Sequence, residues 1–273
     1  MSMISVFGGT GFIGSEFYNQ FKDDSIIIDR NSFTPISEKV LYLISTVDNY
    51  NVLTDSKKDI NTNLIHLMDV LNECKNKNIE FTFISSWFVY GDTELPANEN
   101  SNCNPKGFYS ITKYAAELLL ESFCKTFNIN YKIIRLGNVL GNSDGKISKK
   151  KNALQFLINE IKENRDINLY NNGNFYRDFI DVIDVAKGIR FIMDHGSTNQ
   201  TYNLGCGEPI LFKSIIDYAI NKTKSKSNIG IMEATDFHKI VQVESMYLNT
   251  TKIKNLGFKP EKNIYQIVDE LLK

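Results

Sequence analysis

Two side chains four residues apart could move a proton to or from a substrate. Tyr109 and Lys113, in the segment Tyr-Ser-Ile-Thr-Lys, fall on one face of a helix if the segment is helical. A tyrosine with its ordinary pKa of about 10 is a poor base near neutrality, but a cation one turn away stabilises its phenolate form. Because the chain has 13 tyrosines, such a pair also arises by chance. The spacing therefore predicts a general acid/base only where other features support it.

Two serines follow a segment that is typical of a buried strand. Phe81–Ser85 leads into Ser-Ser-Trp-Phe-Val-Tyr-Gly at 85–91. In open α/β sheets, ligands bind outside the carboxyl ends of the parallel strands. A serine hydroxyl at this position can therefore hydrogen-bond the reacting oxygen of a substrate.

Three glycines spaced by two residues follow the first predicted strand. Gly8 permits a tight turn, Gly11 lets the backbone approach a pyrophosphate, and Gly14 allows a helix to pack closely on the strand. The first amides of that helix would face the anion. The spacing is a variant of the dinucleotide fingerprint, and the strand before it and the helix after it supply the context that the motif requires. We therefore predict a dinucleotide site at Gly8, Gly11, Phe12, Ile13 and Gly14.

The end of the second predicted strand bears on the choice between NAD and NADP. Asp29 follows the three isoleucines of this strand. A carboxylate here accepts hydrogen bonds from both ribose hydroxyls and repels a 2′-phosphate, which favours NAD. Arg30 could pair with a 2′-phosphate, so NADP is the alternative. Without a ligand role, Asp29 would end the strand in a turn and Arg30 would be a solvated side chain.

The order of the predicted elements places these residues at one edge of a sheet. Apolar strands alternate with helices in the N-terminal half, which is typical of a parallel sheet covered by helices. Strands are predicted at Met3–Phe7, Ser25–Asp29, Val40–Ser45, Glu80–Ser85 and Tyr131–Leu136. Helices are predicted at Ile60–Lys75, Phe108–Phe127, Ala153–Glu163, Val185–Asp194 (with Asp184 as N-cap), Leu211–Thr223 and Ile264–Leu272, and a polar loop at 142–151. Because Phe108–Phe127 is apolar on more than one face, we expect its second face to meet another helix or another subunit.

Composition limits the remaining function classes. The 273 residues carry 31 Lys+Arg and 32 Asp+Glu, and this near-neutral balance argues against a nucleic-acid partner. Four cysteines and three histidines are scattered, which argues against a metal site or a disulfide framework and favours reduced thiols in the cytoplasm. No apolar run reaches the ~20 residues of a membrane helix, and the N-terminus lacks a secretory pattern. We expect a cytoplasmic protein with no metal and no membrane partner.

Several segments, taken in order along the chain, resemble those of one family. The sequence resembles the extended short-chain dehydrogenases/reductases, and among them the NAD-dependent epimerase/dehydratase group that acts on nucleotide sugars. The resembling segments are Gly8–Gly14, Asn63, Ser85–Gly91, Tyr109–Lys113, Arg135–Gly141, Arg177–Val182 and Tyr202–Gly205. Several ordered motifs on one chain are more specific than any single motif.

The resemblance implies roles in catalysis and cofactor binding. Ser86 would be the catalytic hydroxyl that holds the sugar oxygen, beside Tyr109 as the general acid/base. Lys113 would contact the nicotinamide ribose and, together with an oxidised nicotinamide ring, lower the pKa of Tyr109. Asn63 would belong to the helix that supports the active site and is counted with the cofactor residues.

The resemblance also implies a substrate site. Asn138 would contact the substrate diphosphate, and Arg177 would pair with the nucleotide phosphates. A guanidinium suits a diphosphate because it forms charge-assisted, bidentate hydrogen bonds; the alternative for Arg177 is a surface salt bridge. Trp87 would line the same site.

The sequence departs from the family pattern in two places. Trp87 and Phe88 follow Ser86 where family members that eliminate water or decarboxylate carry acidic residues, and neither aromatic side chain can exchange a proton. Dehydration and decarboxylation are therefore disfavoured. The stretch from Asp29 to Val40 is too short for the usual βα unit, so we expect one strand or helix to be missing and the adenine pocket to be altered.

We therefore expect an α/β protein with a Rossmann domain, a doubly wound parallel sheet, at residues 1–140. A smaller substrate-binding lobe would occupy residues 141–273, with about 179–205 returning to the Rossmann domain. The expected substrate is a nucleoside diphosphate sugar and the expected cofactor is NAD, with NADP as the alternative. The activity would be that of an epimerase or of a keto-sugar reductase. A non-catalytic dinucleotide-binding module and a hydroxysteroid or flavonoid reductase are further alternatives. We also expect a homodimer formed through Ile60–Lys75 and Phe108–Phe127.

Overall fold

A computed structural model describes residues 3–142 and 152–273 of the protein. Its strands are β1 (Ile4–Phe7), β2 (Ser25–Ile28), β3 (Lys39–Tyr42), β4 (Glu80–Ser86), β5 (Asn130–Leu136), β6 (Asn138–Leu140), β7 (Ile167–Tyr170), β8 (Tyr176–Arg177), β9 (Phe179–Asp181), β10 (Gln200–Leu204), β11 (Ile210–Leu211) and β12 (Ile229–Met232). Its α-helices are α1 (Phe12–Gln20), α2 (Lys58–Ile60), α3 (His66–Glu73), α4 (Gly107–Phe127), α5 (Ala153–Lys162), α6 (Val182–His195), α7 (Phe212–Thr223), α8 (Asp236–Val241), α9 (Thr251–Leu256) and α10 (Ile264–Leu271). Each predicted strand and helix is present, and the loop predicted at 142–151 lies outside the described residues except for Asn142.

Six parallel strands form the central sheet. Their order is β2-β1-β3-β4-β5-β10, and every neighbouring pair is parallel. The chain passes from β1 to β2 on one side and then crosses to β3 on the other side of β1. A crevice opens at the carboxyl ends of strands where the connections diverge in this way. The predicted doubly wound parallel sheet is confirmed, and its crevice lies between β1 and β3.

Helices cover both faces of this sheet. On one face, Leu71 of α3 and Leu120 of α4 share a buried core with Phe81 of β4. On the other face, Phe17 of α1 and Ile189 of α6 belong to a second core. Strands that are buried on both faces need apolar side chains in both directions, which explains their nearly continuous apolar runs.

A third core consists of Leu140 and residues beyond 152. It joins Leu157 of α5, Ile216 of α7 and Ile267 of α10. In contrast, α6 packs on α1, and β10 pairs with β5 in the central sheet. The division of the chain into two domains at residue 140 stays a prediction. Among the described helices, none has the length and apolar character to cross a membrane.

The connection between β2 and β3 confirms the predicted missing unit. Residues 29–38 contain neither helix nor strand. Instead, the backbone N–H groups of Ile36 and Ser37 donate to Ser5 Oγ at 2.9 and 3.0 Å, which holds the connection against β1. A doubly wound sheet of the six-strand Rossmann order carries a further strand outside β2, and here the sheet ends at β2.

The start of α6 differs from its prediction. The N-cap is Asp181, whose Oδ1 accepts a hydrogen bond from the Ile183 N–H at 2.8 Å. Asp184 lies inside the helix, and its Oδ2 accepts bonds from the backbone N–H groups of Glu261 and Lys262 at 3.0 Å. The N-cap prediction at Asp184 was wrong because both aspartates satisfy the local signal, and a contact with a distant segment decides between them.

Candidate active site

A cavity of about 360 Å³ opens at the crevice between β1 and β3. We call it the glycine-loop cavity, since the turn after β1 forms one wall. The ends of β3, β4 and β5 and the first turns of α4 supply other described parts of the lining. Of the predicted site residues, it brings together Gly8, Gly11, Phe12, Ile13, Gly14, Ser86, Trp87, Tyr109, Lys113 and Asn138. The glycine turn and the tyrosine–lysine pair therefore face one space, although they are distant in sequence.

The glycine turn leaves little room for side chains. Gly8 has a φ of +84°, in the left-handed region that favours glycine. A Cβ on Gly14 would lie 2.2 Å from the Gly8 carbonyl oxygen and 2.8 Å from Gly9 Cα, so α1 packs directly on the turn. Gly11 is the N-cap of α1 and has no side chain that could cap the helix, so no capping side chain competes with an anion at this end. These residues fit the pyrophosphate of a dinucleotide.

Tyr109 lines this cavity together with Ser45 and Ser86. Its ring packs edge-on against Phe88, with the ring centroids 5.8 Å apart. Its backbone N–H donates to Asn49 Oδ1 at 3.0 Å, which anchors the first turn of α4. The phenol is thus held at a defined position beside Ser86, which is the pairing that the resemblance implied.

Burial dominates the protonation of Tyr109 in the protein alone. Desolvation raises the pKa of its phenol to about 12. The side chains of Ser86 and Ser45 lower this pKa, whereas the carboxylates of Asp59 and Asp48 raise it further. A phenolate at neutral pH therefore needs additional positive charge near the hydroxyl.

Lys113 carries only part of a positive charge near neutral pH in the protein alone. It is only 2% exposed, and its Nζ lies 4.3 Å from the centroid of the Phe83 ring. Burial lowers the pKa of Lys113 to about 7, against which Glu117 acts in the opposite direction. The activation of Tyr109 that we predicted, by Lys113 together with an oxidised nicotinamide ring, stays a prediction.

Asn63 lies in a π-helical turn (Asn61–Ile65) between α2 and α3. Its Oδ1 accepts hydrogen bonds from Ser45 Oγ at 3.0 Å and from the Thr46 N–H at 2.9 Å. Its Nδ2 donates to the hydroxyls of Thr46 and Thr112, both at 2.9 Å. The side chain therefore ties the end of β3 to the first turns of α4, behind the glycine-loop cavity and outside its lining. π-Turns often mark functional sites, and this one supports Tyr109 from behind.

Asp29 and Arg30 stand apart from the other predicted cofactor residues. Both are exposed, and neither is among the described residues that line the glycine-loop cavity. Asp29 Oδ1 accepts a hydrogen bond from the Asn31 N–H at 2.9 Å. This is the turn-forming role that we gave as the alternative for Asp29.

A second cavity, of about 520 Å³, adjoins the first. We call it the lobe cavity, because most of its wall comes from α5, β7 and the segments that follow. Both cavities are lined by Trp87, Phe88, Asn138, Val139 and Asn152, so they meet at these residues. Among the described lining residues of the lobe cavity, Arg177 is the only lysine, arginine, aspartate or glutamate.

Arg177 is anchored by backbone carbonyl groups. Its guanidinium donates to the carbonyl oxygens of Tyr176, Glu244 and Val243 at 2.9, 2.5 and 2.7 Å. It also lies 4.7 Å from the centroid of the Phe175 ring. These contacts keep one positive charge at the wall of the lobe cavity, where an anionic ligand would meet it.

The junction of the two cavities is aromatic, and its polar groups are already paired. Trp87 stacks on Phe88 with the ring centroids 3.9 Å apart. Trp87 Nε1 donates to Asn138 Oδ1 at 3.2 Å, and Asn138 Nδ2 donates to the Asp178 carbonyl oxygen at 2.9 Å. Asn138 thus lines both cavities while its amide is bonded within the protein.

Sequence reasoning missed several residues around the site. Ser45 lines the same cavity as Tyr109, Asn49 accepts the Tyr109 backbone N–H, and Asp59 is a fully buried carboxylate nearby. Two signals could have indicated them, namely a polar Ser-Thr pair at the end of an apolar strand and an Asp59–Asn63 spacing of one helical turn. Tyr50 and His238 line the lobe cavity from opposite halves of the chain, with Tyr50 Oη 3.4 Å from His238 Nδ1.

Other chemistries find no support in the described residues. Over residues 3–142 and 152–273, no group of three or more His, Cys, Asp or Glu side chains is placed to hold a metal ion. The four cysteines are free. Burial raises the pKa of the Cys74 and Cys124 thiols to about 12, which makes them poor nucleophiles.

Comparison with known protein families identifies the chain. A family model described as the NAD dependent epimerase/dehydratase family matches residues 37–205. This protein belongs to that family. The matched segment includes Ser86, Tyr109, Lys113 and Arg177, whereas the glycine turn precedes it and is placed at the same site by the fold. NAD, the predicted cofactor, is the cofactor of the NAD dependent epimerase/dehydratase family.

The proteins to which this chain is similar differ in the reactions that their names describe. The chain is 27% identical over 250 residues to ADP-L-glycero-D-manno-heptose-6-epimerase of Brachyspira hyodysenteriae, covering 78% of this chain and 79% of that protein. It is 23% identical to dTDP-4-dehydro-6-deoxyglucose reductase of Escherichia coli, covering 95% of this chain and 84% of that one. The structure of UDP-N-acetylglucosamine 4-epimerase from Methanobrevibacter ruminantium M1, in complex with UDP-N-acetylmuramic acid, superposes with a TM-score of 0.89 at 20% identity over 100% of this chain and 98% of that chain. The fold is therefore shared over the whole length.

Proposed function

We propose that this member of the NAD dependent epimerase/dehydratase family transfers hydride at a carbon of a nucleoside diphosphate sugar, with Tyr109 as the general acid/base. The observation that carries the proposal is the junction of the two cavities. The glycine-loop cavity contains the dinucleotide turn, Tyr109 and Ser86, and it opens at Trp87 into the lobe cavity, where Arg177 lies. A ligand with its diphosphate near Arg177 and its sugar at the junction would have a sugar carbon next to Tyr109.

Tyr109, Ser86 and Lys113 would each have a separate role in the reaction. When bound, the nicotinamide dinucleotide supplies the hydride acceptor in one direction and the hydride donor in the other. Tyr109 would take the proton of a sugar hydroxyl as that carbon is oxidised. Ser86 Oγ accepts the Phe88 N–H at 3.3 Å, so its own proton is free to hold the sugar oxygen. Lys113 would contact the nicotinamide ribose, and its charged form would favour the phenolate.

Two reactions can use these residues. An epimerase returns the hydride to the opposite face of a rotated keto-sugar and keeps its cofactor, whereas a keto-sugar reductase consumes a cofactor in each turnover. The exposed connection at 29–38 favours the reductase, because Asp29 and Arg30 lie outside the cavity lining and the adenine end of a dinucleotide gains few contacts. A cofactor held in this way exchanges readily, and NADP then stays an alternative to NAD.

The test begins with the purified protein and its bound nucleotide. NMR with UDP-, dTDP-, CDP- and GDP-sugars, each with NAD or reduced cofactor, separates the functions. Formation of an epimer at constant NAD indicates the epimerase, and stoichiometric oxidation of NADH or NADPH indicates the reductase. Tyr109→Phe is expected to abolish turnover while leaving nucleotide binding intact. Near-normal turnover of this variant would contradict the mechanism, and a bound dinucleotide without turnover of any sugar would indicate a non-catalytic module.

We also propose that the protein forms a homodimer through its outer helices. Large apolar side chains remain exposed on α2, on the π-helical turn that follows it and on α4. They are Ile60, Ile65, Phe108, Ile111, Leu118, Leu119 and Phe127. Ile111 is 50% and Leu118 51% exposed, one above the other on α4. A second copy presenting the same stripe would cover them, as isologous interfaces do. Light scattering should give a dimer that Leu118→Glu dissociates, and a monomeric wild-type protein would refute this.

A further inference from the structure

A row of aromatic rings connects Arg177 with Tyr109. The Arg177 guanidinium carbon lies 5.6 Å from the centroid of the Trp87 ring. The centroids of the Trp87 and Phe88 rings are 3.9 Å apart, and those of the Phe88 and Tyr109 rings are 5.8 Å apart. A sugar whose diphosphate contacts Arg177 and whose reacting carbon is next to Tyr109 therefore lies along Trp87 and Phe88.

Trp87 and Phe88 differ in the surface that they offer to a ligand. Trp87 is only 3% exposed, and its Nε1 is bonded to Asn138 Oδ1. Phe88 is partly exposed and lines both the glycine-loop cavity and the lobe cavity. Phe88 therefore offers a bound sugar more accessible surface than Trp87 does.

The polar side chains beside Phe88 have little hydrogen-bonding capacity left for a sugar hydroxyl. Asn152 Nδ2 donates to the Val139 carbonyl oxygen at 3.1 Å and to Gln155 Oε1 at 3.3 Å, and Asn152 Oδ1 accepts the Gln155 N–H. The Asn138 amide is bonded within the protein through both its oxygen and its nitrogen. A ligand hydroxyl at the junction would therefore give up hydrogen bonds to water without equal replacement, which costs free energy.

The chemistry of a nucleoside diphosphate sugar determines which part of it meets this wall. The diphosphate is attached to the anomeric carbon, C1, so the opposite edge of the pyranose, with C4, C5 and the C6 substituent, points away from Arg177 and toward Tyr109. That substituent is a hydroxymethyl group in a hexose and a methyl group in a 6-deoxy sugar. A methyl group gains free energy when it leaves water for an apolar wall, whereas the C6 hydroxyl loses its hydrogen bonds to water there.

We propose that Phe88 is a specificity-determining residue, which selects nucleoside diphosphate 6-deoxy sugars over the corresponding hexoses. Its ring contacts the C6 methyl group at the junction of the two cavities. The inference rests on the proposed function, which brings the sugar to this junction. A hydrophobic wall rejects an added hydroxyl only moderately, so the expected preference is roughly tenfold to a hundredfold.

Matched pairs of nucleotide sugars measure this preference. Glucose and 6-deoxyglucose, which differ by one oxygen atom, are each supplied as the UDP, dTDP, CDP and GDP derivative, and their Kd values are measured by calorimetry with saturating NAD. The wild-type protein should bind the 6-deoxy member of a pair roughly tenfold or more tightly. In Phe88→Ala, water can reach the C6 hydroxyl, so the ratio of the two Kd values should fall close to one. Phe88→Asn, which places an amide at the junction, should lower the ratio in the same way if the alanine variant does not fold.

Phe175→Ala is the matched control. Phe175 is also partly exposed and lies 4.7 Å from the Arg177 guanidinium carbon, but of the two cavities it lines only the lobe cavity. This variant should weaken the binding of both members of a pair alike and keep the wild-type ratio. Equal binding of both members by the wild type, or an unchanged ratio in the folded Phe88 variants, would overturn the role of Phe88 and leave the proposed function intact. Binding of no member of any pair would overturn both.

Discussion

Replacing Lys113 by methionine should make the protein more stable and inactive. Lys113 is 2% exposed, and burial lowers its pKa from 10.5 to about 7. The folded protein therefore releases the lysine proton near pH 7, whereas the unfolded chain holds it up to about pH 10.5. A buried base with a lowered pKa destabilises the folded state at low pH, and this cost declines as the pH rises between those two values.

The magnitude follows from the pKa shift. One pKa unit corresponds to about 1.4 kcal/mol, so between pH 7 and pH 9 the wild-type protein should gain about 2 kcal/mol of unfolding free energy from this group. Methionine has a similar length and no charge, so Lys113→Met should lack this gain. The variant is expected to be more stable than the wild type at pH 7, with a difference that shrinks by about 2 kcal/mol by pH 9.

Urea unfolding followed by circular dichroism at pH 7, 8 and 9 measures this difference. Lys125→Met is the matched control, because Lys125 lies on the exposed side of the same helix. Its stability should follow the wild-type pH dependence. If wild-type and Lys113→Met curves run parallel from pH 7 to 9, then Lys113 is not a destabilised buried cation and the electrostatic reasoning is wrong. Loss of activity in a more stable variant would show that function keeps the lysine in place.

Two further predictions concern the two cavities. Gly14→Ala should unfold at lower urea concentration and lose NAD binding, because the added Cβ would lie 2.2 Å from the Gly8 carbonyl oxygen, a backbone atom that cannot move aside freely. Quenching of the fluorescence of Trp87, the single tryptophan, measures NAD binding. Normal NAD affinity of the variant would show that the turn does not hold the cofactor. Arg177→Ala should raise the KM for the sugar nucleotide by about tenfold or more while changing NAD affinity little, since charge-assisted hydrogen bonds of this kind contribute roughly 1.5–3 kcal/mol. If steady-state kinetics show equal losses of affinity for the sugar nucleotide and for NAD, Arg177 has no specific role in binding the substrate phosphates.

The strands, the glycine turn and the Tyr109–Lys113 pair could be predicted from the sequence for a common reason. Each depends on residues that are close along the chain, so their periodicity and spacing carry the information. The missing unit between Asp29 and Val40 was likewise a matter of length, because ten residues cannot hold a helix and a strand with their turns. The N-cap at Asp181 was missed where two local signals competed and a contact with residues 261–262 decided.

The sequence indicated which side chains could lie together and did not indicate their protonation. Ser86, Tyr109 and Lys113 line one cavity with the glycine turn, whereas Asp29 and Asn63 are outside its described lining. The catalytic and binding roles of all five residues stay predictions. A position in a motif says nothing about the direction of a side chain, so the placement of Asp29 and Asn63 could not be predicted.

By itself, the sequence determined which elements form and which reactive side chains stand at their ends, since alternation, glycine spacing and helical periodicity act over a few residues. Only the tertiary structure decided that Ser45 and Tyr109 line one cavity, that Asn63 ties the end of β3 to α4 behind it, and that burial moves the Tyr109 and Lys113 pKa values toward the neutral forms of both groups. Desolvation and hydrogen bonding depend on neighbours from β3, α2 and α4, which no local pattern in the chain brings together.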